Sequence, residues 1–275
     1  MTADPQSNET SDSTNDISAT VYWHVDRSDH IAILRYDGGS RRTMNIAGAG
    51  QLAALLADFA RRPEPPVLVL ALDVLHAELS EVREMSNGRP IADWAPWLAA
   101  IQGVENYTNA VIVSVADQAT CGGLELAVAA DIRVAAPSAR LGVLETRIGL
   151  VPGAGGTQRL PELIGFGNAS LLVLTGESVS GTEALRMGLV QLVDTDPLGR
   201  SVELAEGIAR NQCHVTAAAK RALQAGRVRS PDGFRVEGRS FLAVVGSDSS
   251  KQRIDLWLES QAAGHNPALR SSPLP

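Results

Sequence analysis

The sequence has little of what several protein classes require. Its 275 residues include two cysteines, Cys121 and Cys213, and contain no C-x-x-C pair. Neither a disulfide framework nor a cysteine-based metal site is therefore expected. This cysteine usage is typical of a reducing compartment, so we expect a cytoplasmic protein with no bound metal.

Long basic runs and long apolar runs are also absent. No block of Lys and Arg exceeds a pair, as at 41–42 and 61–62, and the net charge is −7. This composition argues against a surface for nucleic acid or for an anionic membrane. No segment approaches the roughly 18 apolar residues of a membrane span, and the N-terminus lacks the pattern of a secretory signal. We expect the ligands to be small molecules.

Several catalytic motifs are missing. The sequence contains no G-x-S-x-G turn, which excludes the usual serine hydrolase arrangement. The stretch "GAGGTQ" at 153–158 resembles a phosphate loop but lacks the Lys-Ser/Thr ending, and no G-x-G-x-x-G follows a predicted strand. The spacing of the histidines indicates no catalytic partner for them, and only His76 is considered further.

Three segments differ in pattern. Residues 1–18 are polar and lack large apolar side chains, which predicts a disordered tail. Residues 19–196 alternate apolar strand-like runs with helical patterns, which indicates a wound α/β core. From 197 to 275 apolar residues recur at a spacing of three and four, which predicts a helical C-terminal region.

Individual elements of the core can be assigned. "TVYWHV" and "HIAILRY" flank a turn and predict an antiparallel pair, and a helical stripe of leucines predicts a helix over 46–62. The unbroken apolar runs at 67–72 and 110–116 predict strands covered on both faces. A helix over 123–130, a strand over 132–136 and a helix from about 156 follow.

Two glutamates lie at positions where catalytic residues are expected. Glu125 follows a strand and a glycine pair that opens a helix, whose first N–H groups could hold an oxyanion. Glu145 lies twenty residues later, before a glycine-rich turn, and two adjoining carboxylates could move a proton and a water. Structural interpretations remain open: Glu125 could serve only its helix dipole, and Glu145 could pair with Arg147 or Arg159.

A long segment then carries a family resemblance. Residues 111–161, "VIVSVADQATCGGLELAVAADIRVAAPSARLGVLETRIGLVPGAGGTQRLP", resemble the signature region of the enoyl-CoA hydratase/isomerase (crotonase) superfamily, and weaker similarity extends over most of 20–260. The resemblance implies an α/β fold: a crotonase-like spiral of ββα units over 19–196, with a helical trimerisation region at the C-terminus. It also implies a homotrimer or hexamer.

The resemblance implies roles for particular residues. Glu125 and Glu145 fall on the two catalytic glutamates, which add water to an acyl-CoA thioester or eliminate it. Gly122 falls on one oxyanion-hole residue, and Ala77, within "HAEL", is the best match for the other. Coenzyme A then enters as part of the substrate, and no further cofactor is expected.

Departures from the family pattern suggest a specialised role. His76 replaces a usual glycine beside Ala77, Cys121 also replaces a glycine, and Leu144 replaces a common proline, so all three are candidate site-lining residues. The leading hypothesis is an enoyl-CoA hydratase or 3-hydroxyacyl-CoA dehydratase, a lyase. The alternatives are an accessory dehydratase that works with a synthase on a polyketide-type thioester, and a catalytically silent scaffold.

Overall fold

The protein is a mixed α/β chain, and the computed structural model describes residues 22–28, 30–37, 43–72, 76–227 and 231–262. The predicted tail at 1–18 lies outside the described residues. The strands are β1 (Trp23–Arg27), β2 (Ile31–Tyr36), β3 (Thr43–Met44), β4 (Val67–Ala71), β5 (His76–Ala77), β6 (Val111–Val115), β7 (Gln118–Thr120), β8 (Ile132–Ala135), β9 (Arg140–Gly142), β10 (Ser178–Ser180) and β11 (Leu192–Val193). The α-helices are α1 (Ile46–Ala60), α2 (Leu79–Ser86), α3 (Ala95–Glu105), α4 (Gly122–Ala127), α5 (Gly156–Thr175), α6 (Gly181–Met187), α7 (Pro197–Ala209), α8 (Cys213–Ala225), α9 (Pro231–Val245) and α10 (Asp248–Ala262).

The main sheet has six strands in the order β1-β2-β4-β6-β8-β11. β1 pairs antiparallel with β2, as the sequence predicts, and the other pairs are parallel. Because parallel strands need long crossover connections, helices separate most of them along the chain. The five parallel strands therefore end at the same edge of the sheet, where the loops that carry Glu125 and Glu145 begin.

The central strands are buried on both faces, as their unbroken apolar runs predict. Leu68 and Leu70 of β4 belong to the large core that also contains residues of α1 and α3. Val67 and Val69 point to the opposite face, into a smaller core with Ala205 of α7. The alternation follows from the two-residue period of a strand, so α7 closes the face of the sheet that α1 and α3 leave open.

Two small sheets position the loops around the site. The first has the order β10-β9-β7, and the second pairs β3 with β5 in parallel. These short strands are not predicted from the sequence, because two or three residues give no measurable period. β7 leads directly into α4, and β5 carries Ala77.

The C-terminal helices pack back onto the core of the same chain. On α8, the Lys220 ammonium lies 2.7 Å from the Asp131 carboxylate and donates to the backbone oxygen of Asn109 at 3.0 Å. On α10, Asp255 accepts two hydrogen bonds from the Arg83 guanidinium of α2, at 2.5 and 3.0 Å. In the part of the chain that the structure describes, the region after residue 197 contains the helices α7, α8, α9 and α10.

Predicted element bounds hold within a few residues. The helix predicted over 46–62 ends at Ala60, the strand predicted over 67–72 ends at Ala71, and the helix predicted over 123–130 spans Gly122–Ala127. The helix expected from about 156 begins at Gly156. Among the helices of the described ranges, none combines the length and apolar character that a membrane span needs.

Gly181, at the start of α6, lies against the backbone at the end of β8, and Gly181→Ala tests this approach. A Cβ there would lie 2.0 Å from the Ala136 oxygen, so backbone must move. We expect the free energy of unfolding to fall by about 2–4 kcal/mol. Gly167→Ala, on α5 with open space around it, is the matched control and should gain about 0.5–1 kcal/mol. Equal effects in urea denaturation would contradict the packing.

Candidate active site

Glu125 is positioned by a sharp turn between β7 and α4. Cys121 makes this turn with φ 51° and ψ −130°, and it is the one non-glycine residue with positive φ in the described ranges. Its N–H donates to the Gly142 oxygen of β9 at 2.9 Å, which holds the turn to the neighbouring strand. A left-handed backbone is unfavourable for a residue with a Cβ, so strain is concentrated at this turn.

The two predicted glutamates face one small cavity of about 40 Å³. Glu125 reaches it from α4, and Glu145 reaches it from a 3-10 turn at Glu145–Ile148. Most of the remaining wall is apolar or aromatic. It is formed by Ala77, Leu79, Val82, Trp94, Trp97, Cys121, Gly122, Ile148, Leu150, Val151, Gly153, Ala154 and Phe241.

Glu125 is held by the turn that precedes α5. Its Oε1 accepts hydrogen bonds from the N–H groups of Ala154, at 2.9 Å, and Gly156, at 2.8 Å. Burial, followed by the charge of Glu237, raises the pKa of Glu125 to about 7, although the two backbone N–H groups oppose the shift. A carboxyl group with this pKa can take up or release a proton near neutral pH.

Glu145 has fewer partners. Burial is the main cause that raises its pKa well above the ordinary value, and the charge of Glu125 adds to this shift, while a hydrogen bond with the Cys121 thiol opposes it. Its Oε2 is buried and has no hydrogen-bond partner among the described residues. Because both carboxyl groups resist ionisation, the pair favours a state in which Glu145 keeps its proton.

Glu237 of α9 is a third buried carboxyl group at this site, and it is not among the residues predicted from the sequence. It accepts hydrogen bonds from the N–H of Gly155 at 2.7 Å and of Thr157 at 3.0 Å, and also from the Thr157 hydroxyl. Glu125 and Glu237 therefore accept hydrogen bonds from alternate N–H groups of the same turn. No local pattern marks Glu237, since it lies about eighty residues after the turn.

Arg159 supplies a buried positive charge that acts on two of these carboxyl groups. Its guanidinium donates to the Ala154 oxygen at 2.9 Å and to Glu105 at 2.6 Å. Its charge lowers the pKa of both Glu125 and Glu237. The possibility that Arg159 pairs with Glu145 is not realised, because the guanidinium is directed to Glu105 instead.

The oxyanion candidates lie on two different elements of the same cavity wall. Gly122 is the first residue of α4, so its N–H has no partner within that helix. Ala77 lies in β5, whose register against β3 pairs it with Met44. The side chain of the neighbouring His76 lies outside the described part of the chain.

The other two candidate lining residues differ in placement. Cys121 lines the cavity, and burial raises its thiol pKa well above the ordinary value, so the thiolate form is disfavoured. Leu144 contributes no side-chain atom to the cavity wall. Its side chain is fully buried in the main core, and its backbone hydrogen-bonds the Cys121 sulfur. Leu144 therefore acts on the site through its backbone contact with Cys121 and not as a lining residue.

A larger groove of about 690 Å³ lies elsewhere, between the amino end of β4 and the loop that joins α7 to α8. It is lined by His30, Arg62, Glu64, Asn211 and His214, among others. In wound α/β sheets the chemistry collects at the carboxyl ends of strands. The coupled glutamates are found there, so we place the candidate site at the smaller cavity.

Comparison with known proteins identifies the relatives of this chain. The family model described as enoyl-CoA hydratase/isomerase matches residues 78–266. The chain is 33% identical over 186 residues to 2,3-dehydroadipyl-CoA hydratase of Escherichia coli (strain K12), which covers 66% of this chain and 72% of that protein. It is 31% identical over 191 residues to the short-chain-enoyl-CoA hydratase of Clostridium acetobutylicum, covering 68% and 72%.

Solved structures share the architecture. The enoyl-CoA hydratase of Bacillus anthracis superposes with a TM-score of 0.70 at 28% identity, covering 90% of this chain and 98% of that one. For several other curated relatives the match spans about three fifths of their length, 63%, 60% and 58%. The chain belongs to the enoyl-CoA hydratase/isomerase family, and the predicted crotonase-like fold is confirmed.

Glu125→Gln should change the pH dependence of stability. The pKa of Glu125 is about 7 in the folded protein against an ordinary 4.5. The stability that its proton contributes is therefore present below about pH 4.5 and is lost as pH rises to about 7. Glutamine does not titrate, so the variant should gain up to about 3 kcal/mol relative to wild type across that interval. Urea denaturation at intervals over that range checks this.

The double variant with Glu237→Gln provides the control. Glutamine at 237 keeps a hydrogen-bond acceptor but removes the charge that opposes ionisation of Glu125. In that background, Glu125→Gln should show a smaller pH-dependent gain. A gain that does not vary with pH would contradict the raised pKa, and an equal gain in both backgrounds would contradict the coupling.

Proposed function

We propose that the protein adds water to the double bond of a 2-enoyl-CoA ester, or removes water from a 3-hydroxyacyl-CoA ester. One observation carries the proposal: two buried glutamates with raised pKa values share a small cavity beside the N-terminus of α4. A cavity of about 40 Å³ is large enough for a water molecule. Paired carboxyl groups with unequal pKa values suit one acid and one base.

The different hydrogen-bond partners suggest the roles, because two backbone N–H groups favour the carboxylate of Glu125, whereas Oε2 of Glu145 has no partner among the described residues. As the base, Glu125 would take a proton from water while the water oxygen bonds to C3 of the enoyl group. The electron pair of the double bond would move to the thioester oxygen as an enolate. As the acid, Glu145 would then deliver its proton to C2. Elimination would follow the same path in reverse.

The N–H groups of Gly122 and Ala77 are our candidates for the donors that hold the thioester oxygen. Each donor placed at a developing oxyanion contributes about 3–4 kcal/mol to lowering the barrier. Addition of water involves no net oxidation or reduction, so the reaction needs no redox cofactor. Coenzyme A would enter with the substrate.

Glutamine variants test the proposal. Glu125→Gln and Glu145→Gln should each reduce kcat by about 100-fold or more, since each removes a proton-transfer group and keeps the shape of the side chain. The assay follows the ultraviolet absorbance of crotonyl-CoA and of bulkier aryl and branched enoyl-CoA esters. Glu203→Gln, an exposed glutamate on α7, is the control and should remain close to wild type.

A loss of less than about tenfold in both glutamine variants would contradict the use of this pair. A second candidate function, dehydration of a polyketide-type thioester together with a synthase, is supported by His76, the residue directly before Ala77. Inactivity toward every enoyl-CoA ester with turnover of a synthase-bound thioester would favour that candidate. Thermal stabilisation by acyl-CoA without any turnover would favour the scaffold.

We propose in addition that the protein is a homotrimer or a hexamer. On α5, Phe166 is 79% exposed and Leu174 is 76% exposed. Both side chains line a groove of about 230 Å³ whose other walls include Ala169 and Val173. Large apolar side chains that share one exposed surface are typical of a protein interface.

Light scattering coupled to size exclusion tests the assembly. Wild type should have three or six times the 29.0 kDa chain mass. The double variant Phe166→Glu, Leu174→Glu should dissociate to a smaller species, because it places charges in an apolar interface. A wild-type monomer, or an unchanged mass in the double variant, would contradict the proposal.

A further inference from the structure

The indole N–H of Trp97 is a buried donor that the proposed chemistry does not use. Trp97 lies on α3, is 1% exposed and lines the cavity that contains Glu125 and Glu145. No hydrogen-bond partner for its Nε1 exists among the described residues. Buried polar groups are nearly always paired in native proteins. An unpaired donor in the wall of a binding cavity therefore indicates a ligand atom.

The edge of the indole that carries the N–H faces the oxyanion candidate. A Cβ added to Gly122 would lie 2.5 Å from Cζ2, 3.1 Å from Cε2 and 3.4 Å from Nε1 of Trp97. Glycine at 122 is therefore required for this approach. The donor is thus close to the position where the acyl group would enter beside α4.

The described side chains in this part of the wall are aromatic or aliphatic and provide no hydrogen-bond acceptor for the Trp97 N–H. Trp94 packs against it, with ring centroids 5.6 Å apart, and Leu79 and Val82 complete this part of the wall. Trp23 provides the contrast within the same chain, because its buried N–H donates to the Gly48 oxygen at 2.8 Å. Of these two indoles, Trp23 is paired within the protein and Trp97, at the cavity, is not.

We propose that Trp97 is a specificity-determining residue whose N–H binds a neutral oxygen carried by the acyl chain of the substrate, in addition to the thioester oxygen. A carbonyl or hydroxyl group on the chain would satisfy this donor. This inference rests on the proposed function, because it assumes that an acyl-CoA ester occupies the cavity.

The neighbouring carboxyl groups explain why the oxygen is neutral. Glu125 and Glu145 line the same cavity as Trp97. A carboxylate on the acyl chain would place another negative charge in a buried region where the charge of Glu125 already raises the pKa of Glu145. A neutral oxygen accepts the hydrogen bond without that repulsion.

The donor would also disfavour unsubstituted chains. An acyl group without an acceptor would leave the Trp97 N–H buried and unpaired in the complex. A site built to hydrogen-bond a substrate discriminates strongly against the analogue that lacks the polar group. The substrate class is therefore an oxo- or hydroxy-substituted acyl-CoA rather than a simple fatty acyl-CoA.

Binding of matched saturated esters tests this inference independently of turnover. The pairs are 4-oxopentanoyl-CoA with pentanoyl-CoA and 5-oxohexanoyl-CoA with hexanoyl-CoA, measured by calorimetry. Wild type should bind at least one oxo ester about fivefold more tightly than its parent, as one neutral hydrogen bond allows. In Trp97→Phe, which keeps an aromatic ring but has no donor, that ratio should fall to about one. Trp23→Phe should keep the wild-type ratio.

A direct observation covers the case in which Trp97→Phe does not fold. In protein labelled with ¹⁵N-tryptophan, the Trp97 indole proton should shift downfield on binding of the oxo ester and not on binding of its parent. Equal affinities in wild type, a ratio that survives in Trp97→Phe, or an unshifted indole signal would each overturn the inference. Failure to bind any acyl-CoA would refute the proposed function itself, whereas binding without preference would refute only this inference.

Discussion

The site depends on one interaction. Two buried carboxyl groups accept hydrogen bonds from alternate backbone N–H groups of the same turn. Glu125 accepts hydrogen bonds from the N–H groups of Ala154 and Gly156, and Glu237 accepts them from those of Gly155 and Thr157. These groups are the unpaired donors at and before the start of α5. Without them, two carboxyl groups in an apolar environment would lack the partners that buried charge requires. The turn thus fixes Glu125 and, through Glu237, attaches the C-terminal region to the site.

This arrangement explains the glycine-rich stretch that resembles a phosphate loop. Its N–H groups do form an anion-binding cradle at a helix N-terminus. The anions are side chains of the same protein, supplied by α4 and by α9. The sequence pattern therefore indicates the physical property correctly, and only the folded chain shows which groups occupy it.

Much of the fold and part of the site could be predicted from sequence. The apolar runs of β4 and β6 and the positions of Glu125 and Glu145 depend on local patterns and on a long family resemblance. Glu237 could not be predicted, because only tertiary packing brings α9 to the turn. Trp97 has the helical spacing of an ordinary core residue, and nothing in the sequence distinguishes a paired indole from an unpaired one. The side chain of Leu144, a candidate lining residue, packs into the core because its turn directs Glu145 to the cavity instead.

The docking of α9 has a consequence for the behaviour of the protein on heating. Glu237 and Phe241, which packs over Gly153, attach α9 to the site, whereas Val236 and Leu242 of the same helix are more than half exposed. A helix held by so few buried contacts can detach at a lower temperature than the sheet beneath it melts. Thermal inactivation would then precede loss of secondary structure and would be reversible on cooling. The upper working temperature of such a protein is set by the attachment of one helix rather than by the stability of the core.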